Sequence, residues 1–172
     1  MRIRTLVDLI HEDWVTHGRD YTRPGFKAIA VYRFGVWRMS IYPKLFRAPF
    51  SVIYRMLYRR ARNVYGIEIP YTAKVGRRVR IDHQHGIVIH GNSEIGDECV
   101  LRQSVTLGNR YLDRPFDAPK LGCGVNVGAG AVILGSVVVG DYASIGANAV
   151  VLVDVPRKGL AVGVPAKIVN IS

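Results

Sequence analysis

The doublet Asp82-His83, just before a bend at Gly86, is the stretch of this chain best equipped for chemistry. An imidazole titrates close to neutral pH, so a histidine beside a carboxylate is a candidate general base for a hydroxyl. His85 and His90 follow closely, and three neighbouring histidines also suggest a metal site. A structural role is the alternative to both, since a single histidine more often serves packing than catalysis.

The elements that must position these side chains follow a period of six. Between residues 121 and 156 an aliphatic residue opens every hexapeptide, and a small or β-branched residue stands four places later. The openers are Leu121, Val127, Ile133, Val139, Ile145 and Val151, and the fifth positions are Val125, Ala131, Val137, Ala143, Ala149 and Val155. A helix cannot use this period, whereas each coil side of a parallel β-helix can. We therefore predict a parallel β-helix in which both sets point inward.

The same frame extends toward the N-terminus and is interrupted twice. Earlier openers are Val75, Ile81, Ile87, Ile95, Leu101 and Leu107. Two extra residues follow the hexapeptide of Ile87, and eight follow that of Leu107. The spacing predicts about four stacked coils, with a loop over 109–120 that leaves the prism. Insertions of this kind form surface loops, which often carry function.

The charge of the chain is concentrated in its first third. The 172 residues carry a formal net charge of +11, and residues 1–65 hold 13 Lys or Arg against 4 Asp or Glu. This segment is expected either to be a solvated basic face or to attract an anionic substrate or a membrane surface. No nucleic-acid-binding module accompanies the charge, so no nucleic-acid partner is expected.

Cysteine content and hydropathy favour a cytoplasmic protein. Cys99 and Cys123 are too few for a disulfide framework, and Cys99 occupies an inward fifth position. The first residues lack the apolar run of a secretory signal, and no stretch of about 18 apolar residues exists. Membrane contact is therefore expected only at the surface, through the basic N-terminal region.

Three helices are predicted before the repeat. The first covers 5–15 with Thr5 as its cap, the second starts at Pro24 and ends near residue 39, and the third covers 50–64. The third helix carries apolar positions together with four arginines: Arg55, Arg59, Arg60 and Arg62. It is expected to pack against the first coil, with an interfacial membrane helix as the alternative.

The chain is expected to divide into three parts. Residues 1–65 form a small α-helical region, residues 66–156 form the β-helix with its loop, and residues 157–172 form a tail. The predicted fold class is therefore mainly β.

Four segments resemble the serine acetyltransferase family and its relatives in polysaccharide gene clusters. They are RPGFKAIAVYRFGVWRM (23–39), GIEIPYTAKVGRRVRIDHQHGIVIHG (66–91), LRQSVTLGN (101–109) and VNVGAGAVILGSVVVGDYASIGANAVVLVDVP (125–156). The segment with Asp-His is the most specific, because the repeats alone are shared by many acyltransferases. The resemblance implies a left-handed parallel β-helix and a homotrimer whose active sites lie between neighbouring prisms.

The resemblance also implies acetyl transfer from acetyl-CoA, as co-substrate, to a hydroxyl. His83 then acts as the general base, and Glu68 stands fifteen positions upstream, where the family carries an acidic residue that orients the base. Small residues along the cofactor groove and basic residues for its phosphates complete the expected set: Gly108, Ala129, Ala147, Lys158 and Lys167.

The histidine cluster does not match the metal sites known in this kind of fold. In carbonic-anhydrase-like β-helices the ligands come from well-separated coils, whereas His83, His85 and His90 lie within eight residues. No metal is therefore expected. His85 falls at an inward fifth position, which is unusual for a histidine.

The acceptor site departs from the family pattern. Serine acetyltransferases carry an Arg-His pair at the end of the loop, where this chain has Asp117-Ala118. Arg110 or Arg114 could supply a cation instead. Asp82 and Asp20 are further candidates for binding the acceptor, because they match acidic positions of the family.

The departure leads to a prediction about the acceptor. Without the Arg-His pair a serine carboxylate loses its expected partners, whereas Asp117 could accept hydrogen bonds from sugar hydroxyls. The chain is therefore expected to be an O-acetyltransferase acting on a small or polymeric sugar in surface-polysaccharide or glycolipid synthesis. Serine O-acetylation is the first alternative, and a non-catalytic or metal-binding β-helix scaffold is the second.

Overall fold

The computed structural model describes residues 3–169 as three helices followed by a β-helix. Helix α1 covers Ile3–Thr16, α2 covers Pro24–Arg38 and α3 covers Lys44–Tyr65. Pro24 opens α2 as predicted, because its fixed φ suits the first helical position and its missing N–H needs no partner there. Gly66 ends α3 with φ of 63°, a conformation that costs glycine little.

Two helix starts differ from the predictions. Thr5 lies inside α1 rather than capping it, and α3 begins six residues before the predicted Phe50. Pro49 therefore lies within α3, where it removes one main-chain hydrogen bond. The helix nevertheless starts earlier because Pro43, in extended conformation, occupies the N-cap position.

The strands form three sheets, one for each side of the prism. Sheet A consists of β1 (Ile67–Glu68), β4 (Ile87–Ile89), β7 (Thr106–Gly108), β10 (Val132–Leu134) and β13 (Val150–Val151). Sheet B consists of β2 (Lys74–Val75), β5 (Glu94–Ile95), β8 (Lys120–Leu121) and β11 (Val138–Val139). Sheet C consists of β3 (Arg80–Asp82), β6 (Val100–Arg102), β9 (Asn126–Val127), β12 (Ser144–Ile145), β14 (Leu160–Gly163) and β15 (Ala166–Val169).

The core of the solenoid confirms the hexapeptide reading. Every opener from Leu121 to Val151 and every predicted fifth position from Val125 to Val155 is buried. The sheets stack with parallel pairing, for example Val132 with Thr106 and with Val150. The fold class is therefore the predicted β-solenoid with an N-terminal helical region, and it makes about five turns rather than four.

The solenoid extends beyond its predicted end near Pro156. Strand β14 continues sheet C by pairing in parallel with β12, and β15 folds back antiparallel onto β14. Ala161 is fully buried in this last layer. The hexapeptide pattern did not reveal β14 because Ala161 follows its partner Ile145 by 16 residues rather than 18. It did not reveal β15 because an antiparallel return needs no period of six.

Helices α1 and α2 are joined to the solenoid by buried polar groups. The Arg33 guanidinium pairs with the buried Asp13 carboxylate at 2.9 Å and donates to the carbonyl oxygens of Val75 and Gly76. Gly25 lies so close to β3 that a Cβ there would approach the Ile81 carbonyl oxygen at 2.4 Å. This contact requires glycine and places the start of α2 beside the Asp-His doublet.

Helix α3 packs against the first coil through one face, as predicted. Tyr54 and Ala61 are buried on that face, and the Tyr54 hydroxyl accepts the main-chain N–H of Tyr71. Within residues 3–169 no helix is long and apolar enough to cross a membrane.

Candidate active site

His83 occupies the turn that carries the chain from sheet C to sheet A. It directly follows β3, has φ of 66° and exposes its side chain. A non-glycine residue in this region of φ is strained, and such strain is often found at functional sites. The turn is held from both sides, since His85 N–H donates to the Tyr65 carbonyl and Ser104 N–H donates to the His85 carbonyl.

The chain turns from sheet C to sheet A once in each coil, and these turns form a continuous edge. Gly130 N–H donates to the Gln103 carbonyl at 2.9 Å, and Asn148 N–H donates to the Ala129 carbonyl at 2.8 Å. We call this line the His83 edge; it comprises residues 83–86, 103–104, 129–130 and 147–148. Because neighbouring strands are about 4.8 Å apart, the His83 edge extends roughly 14 Å from His83 to Ala147.

Two of the predicted cofactor positions lie on the His83 edge. Ala129 is half-buried and Ala147 is exposed, and both are small enough to leave the neighbouring main chain accessible. Lys167 lies close to the far end of this edge. It pairs with Val162 of β14, and β14 is the strand next to β12 in sheet C. The structure therefore brings His83, Ala129, Ala147 and Lys167 to one side of the molecule.

The two remaining cofactor candidates lie elsewhere. Gly108 ends β7 on sheet A, so it stands at the turn from sheet A to sheet B. Lys158 stands at the turn from sheet B to sheet C, where its main-chain N–H donates to the Asp141 carbonyl. Within one chain, neither residue lies on the His83 edge.

A small pocket adjoins His83 at the start of α2. It has a volume of about 330 Å³ and is lined by Arg23, Gly25, Asp82 and His83 among others. The Asp82 carboxylate is half-buried and pairs with the Arg80 guanidinium at 3.0 Å. A larger cavity of about 570 Å³ lies between α2 and sheet B and presents no histidine or cysteine.

Asp20 is linked to this pocket through Arg23. The Asp20 carboxylate accepts the main-chain N–H of Thr22 at 2.8 Å and pairs with the Arg23 guanidinium at 3.7 Å. Hydrogen bonds from Thr22, and then the charge of Arg23, lower the pKa of the carboxyl. Asp20 is therefore ionised, and the Arg23 side chain lies between it and the pocket.

Glu68 does not contact His83 within one chain. It lies on β1 in sheet A, and its Oε1 accepts a hydrogen bond of 3.1 Å from the hydroxyl of Tyr58 on α3. Burial, together with the Glu68 charge, raises the pKa of Tyr58, so the phenol stays protonated and donates. Sequence reasoning missed Tyr58 because its helical spacing marks it only as an apolar position.

His17 is a second residue that sequence reasoning missed. It is fully buried directly behind β3, and its Nε2 accepts the main-chain N–H of Ile81 at 3.2 Å. In the sequence it marks only the end of α1, just before Gly18. Nothing local reveals that it reaches a strand 64 residues later.

The loop over 109–120 packs on the turn from sheet A to sheet B. The Arg114 guanidinium lies 4.2 Å from the Tyr111 ring and 3.8 Å from the Asp117 carboxylate. The Arg110 guanidinium also lies over the Tyr111 ring, 5.1 Å from its centroid. Together with Leu134, Leu152 and neighbouring residues, these side chains line a pocket of about 190 Å³. We call the turn from sheet A to sheet B, with this loop, the loop edge of the prism.

The structure corrects the predicted orientation of His85. Instead of pointing inward, its side chain is exposed, because φ of 77° turns the residue out of the core. His90 uses its Nδ1 to accept the Asn92 N–H at 3.2 Å. In the part of the chain that the structure describes, no three His, Cys, Asp or Glu side chains are grouped as metal ligands.

Comparison with known proteins identifies the family. The family described as Bacterial transferase hexapeptide (six repeats) matches residues 118–152. A serine acetyltransferase of Helicobacter pylori (strain J99) is 43% identical over 147 residues, which are 86% of this chain and 82% of the relative. The chain belongs to the serine acetyltransferase family.

Solved serine acetyltransferases share the fold of nearly all of this chain. The soybean enzyme complexed with serine superposes with a TM-score of 0.80 at 32% identity, over 95% of this chain and 69% of that one. A serine acetyltransferase complex with CoA gives 0.78 at 33% identity, over 96% and 70%. The chain is accordingly an acyltransferase of this family.

The predicted sugar acceptor is wrong. The relatives are serine acetyltransferases, and the serine alternative fits them better than sugar acetylation in polysaccharide synthesis. The sugar acceptor was predicted from Asp117-Ala118, where an anion stands in place of the family's Arg-His pair. In the structure the Arg114 guanidinium stands beside Asp117, so the loop still offers a cation.

Proposed function

We propose that this chain is a serine O-acetyltransferase that transfers the acetyl group of acetyl-CoA to the hydroxyl of L-serine. The observation that carries the proposal is the His83 edge, which has an exposed histidine at one end and small residues below it. Small residues leave the main chain of this edge accessible to a thin pantetheine arm, and the related enzyme solved with CoA supports this co-substrate. The relative solved with serine supports the acceptor.

His83 is assigned the transfer of the proton. As the serine oxygen attacks the thioester carbonyl carbon, the imidazole takes the hydroxyl proton. The carbon–sulfur bond of the tetrahedral intermediate then breaks, and the imidazolium returns the proton to the departing CoA thiolate. Within residues 3–169 no group hydrogen-bonds to the His83 ring, so both of its nitrogens remain available to substrate or to a neighbouring copy.

The acceptor is assigned to charged groups on two edges. A serine carboxylate needs a cation, and an arginine fork suits it; Arg110 and Arg114 on the loop are the candidates. The serine ammonium needs an anion, for which Asp82 beside His83 and Asp20 behind Arg23 are candidates. Lys167, at the far end of the His83 edge, is assigned to the nucleotide phosphates of CoA.

A homotrimer would join these groups into one site. The loop follows sheet A, whereas His83 follows sheet C, so one chain holds them on different edges. When three prisms pack side by side, the His83 edge of one copy can face the loop edge of the next. Gly108 belongs to the loop edge, which explains how it could line the same cofactor groove from the neighbouring copy.

The proposal is tested by following thiol release from acetyl-CoA with a panel of acceptors. L-serine is expected to give saturable release, with threonine, homoserine and nucleotide-linked sugars much poorer. The His83→Ala variant measures the background of thioester hydrolysis. Serine-independent release, or saturable release with another acceptor alone, would refute serine as the substrate.

A further inference from the structure

Helix α3 presents an apolar stripe to solvent over residues 45–57. Its buried face carries Tyr54 and Ala61, and the stripe lies on another face of the same helix. The stripe consists of Leu45, Phe46, Val52, Ile53, Met56 and Leu57, and the exposed fractions of these residues range from 39% for Leu57 to 78% for Leu45. Spacings of three, four and seven residues place them on one surface of the helix. Contiguous exposed apolar surface of this kind marks an interaction site.

Beside the apolar stripe, α3 carries a basic face. Lys44, Arg55, Arg59 and Arg62 project between the stripe and the buried face, and all four are exposed. The helix contains six Lys or Arg and no Asp or Glu. Among residues 3–169, no carboxylate lies within 4 Å of any of these basic groups. The positive charge of α3 is therefore not neutralised by any carboxylate in the described part of the chain.

We propose that α3 docks on the surface of a membrane that contains anionic phospholipids. An interfacial helix buries its apolar face at the boundary of headgroups and acyl chains and keeps Lys and Arg at the polar side. An anionic leaflet attracts each nearby basic side chain with a free energy of about 1 kcal/mol. Both requirements meet on α3.

The charge of α3 argues against a two-fold contact with the same helix of a second copy. If two α3 helices paired across a two-fold axis, the same basic residues would approach each other, because an isologous contact repeats one surface. Like charges in such a contact are destabilising. An anionic lipid surface instead complements the charge and accepts the apolar stripe at the same time.

Vesicle co-sedimentation of the full chain tests the proposal. We expect binding to vesicles of phosphatidylcholine mixed with phosphatidylglycerol, weak binding to phosphatidylcholine alone, and loss of binding at high salt. Replacing Arg55 and Arg59 by Gln should weaken binding to the anionic vesicles about tenfold or more. Ile53→Ser with Met56→Ser should weaken it to a similar extent, since both side chains would enter the bilayer boundary.

A matched control comes from the far part of the solenoid. Val138→Ser with Arg157→Gln removes one exposed apolar and one exposed basic residue there, and it should leave vesicle binding unchanged. Circular dichroism checks that every variant is folded. Equal binding to both vesicle types, absence of binding, or α3 variants that bind like the control would each overturn the proposal. So would a sedimentation result in which the α3 changes dissociate an oligomer while the parent chain ignores lipid.

Discussion

The Nε2 atom of His17 accepts the main-chain N–H of Ile81 at 3.2 Å, and Nδ1 of the same ring lies 2.7 Å from the Asp13 carbonyl oxygen. Only a neutral imidazole with its proton on Nδ1 satisfies both contacts, because both nitrogens of an imidazolium are donors. His17 thereby ties α1 to β3, one residue before Asp82. The helical region thus holds the strand that presents His83.

The His17 contact predicts a loss of stability in acid. Burial lowers the pKa of His17 below its ordinary value of 6.5; the carboxylates of Asp13 and Asp82 act in the opposite direction, and Arg23 adds to the lowering. The unfolded chain therefore binds a proton before the folded one does, so the free energy of unfolding falls as the pH drops through 6.5. Denaturant unfolding between neutral pH and about 5 measures the slope.

The variant His17→Gln is the matched comparison for that slope. A glutamine amide oxygen can accept the Ile81 N–H but does not titrate. The variant should lose the part of the slope that begins near the ordinary histidine pKa. An unchanged slope would assign the acid sensitivity to another group.

Removing either member of the buried ion pair is predicted to destabilise the protein strongly. Removing both is predicted to cost less than the two single losses added together. Arg33 and Asp13 are almost completely buried, so removing one partner leaves an uncompensated charge. Asp13→Leu or Arg33→Met alone should lower the free energy of unfolding by about 3–5 kcal/mol. The double variant Asp13→Leu with Arg33→Met should be less destabilised than the sum of the single changes. Additive losses in a double-mutant cycle would show that the pair is not coupled.

The solenoid could be predicted from sequence because each of its residues carries the signal locally. Ala131 and Ile133, for example, are buried as their places in the hexapeptide require. The buried cluster of Asp13, His17 and Arg33 could not be predicted. Its members reach across distances of 20 to 64 residues, and each is compatible with a plain helical position.

The candidate site also has one part that the sequence predicts and one part that it does not. His83, Ala129 and Ala147 fall on one edge because three hexapeptides make one coil, so each of them stands two residues after a sheet C opener: Ile81, Val127 and Ile145. The loop at 109–120 has no repeat to fix it, so the side chain beside Asp117 was not predictable from the order of residues. The acceptor was misjudged at this point, because the contribution of Arg114 depends on how the loop folds.

A loss of activity is predicted for His83→Ala. Without a base to take the hydroxyl proton, the turnover number should fall by about 10²-fold or more. The change is at an exposed turn, so acetyl-CoA affinity and the unfolding free energy should stay close to those of the parent chain. Steady-state kinetics with L-serine, together with binding of CoA by calorimetry, separate the two effects. A fully active variant would remove His83 from the mechanism.

Two substitutions at the contact of Tyr58 with Glu68 test whether the charge of Glu68 or its hydrogen bond matters for activity. Glu68→Gln keeps an acceptor for the Tyr58 hydroxyl but removes the charge, whereas Tyr58→Phe keeps the charge and removes the donor. If Glu68 orients His83 in the assembled enzyme, Glu68→Gln should lower turnover more than Tyr58→Phe, though less than His83→Ala. Its effect should also appear in the acidic limb of the pH profile of kcat/KM. Equal small effects of both changes would limit Glu68 to packing.

The loop predicts how the acceptor is held. If Arg114 binds the serine carboxylate, Arg114→Gln should raise the KM for serine about tenfold or more and leave kcat nearly unchanged, since binding is lost in the ground and transition states alike. Asp117→Asn removes the anion that competes for the same guanidinium at 3.8 Å, so it should not raise this KM. Lys120→Gln is the control for charge alone, because Lys120 already pairs with Glu94 at 3.3 Å. If Arg114→Gln leaves the KM for serine unchanged and Arg110→Gln raises it, the carboxylate belongs to Arg110; if neither change has an effect, the loop does not bind the acceptor.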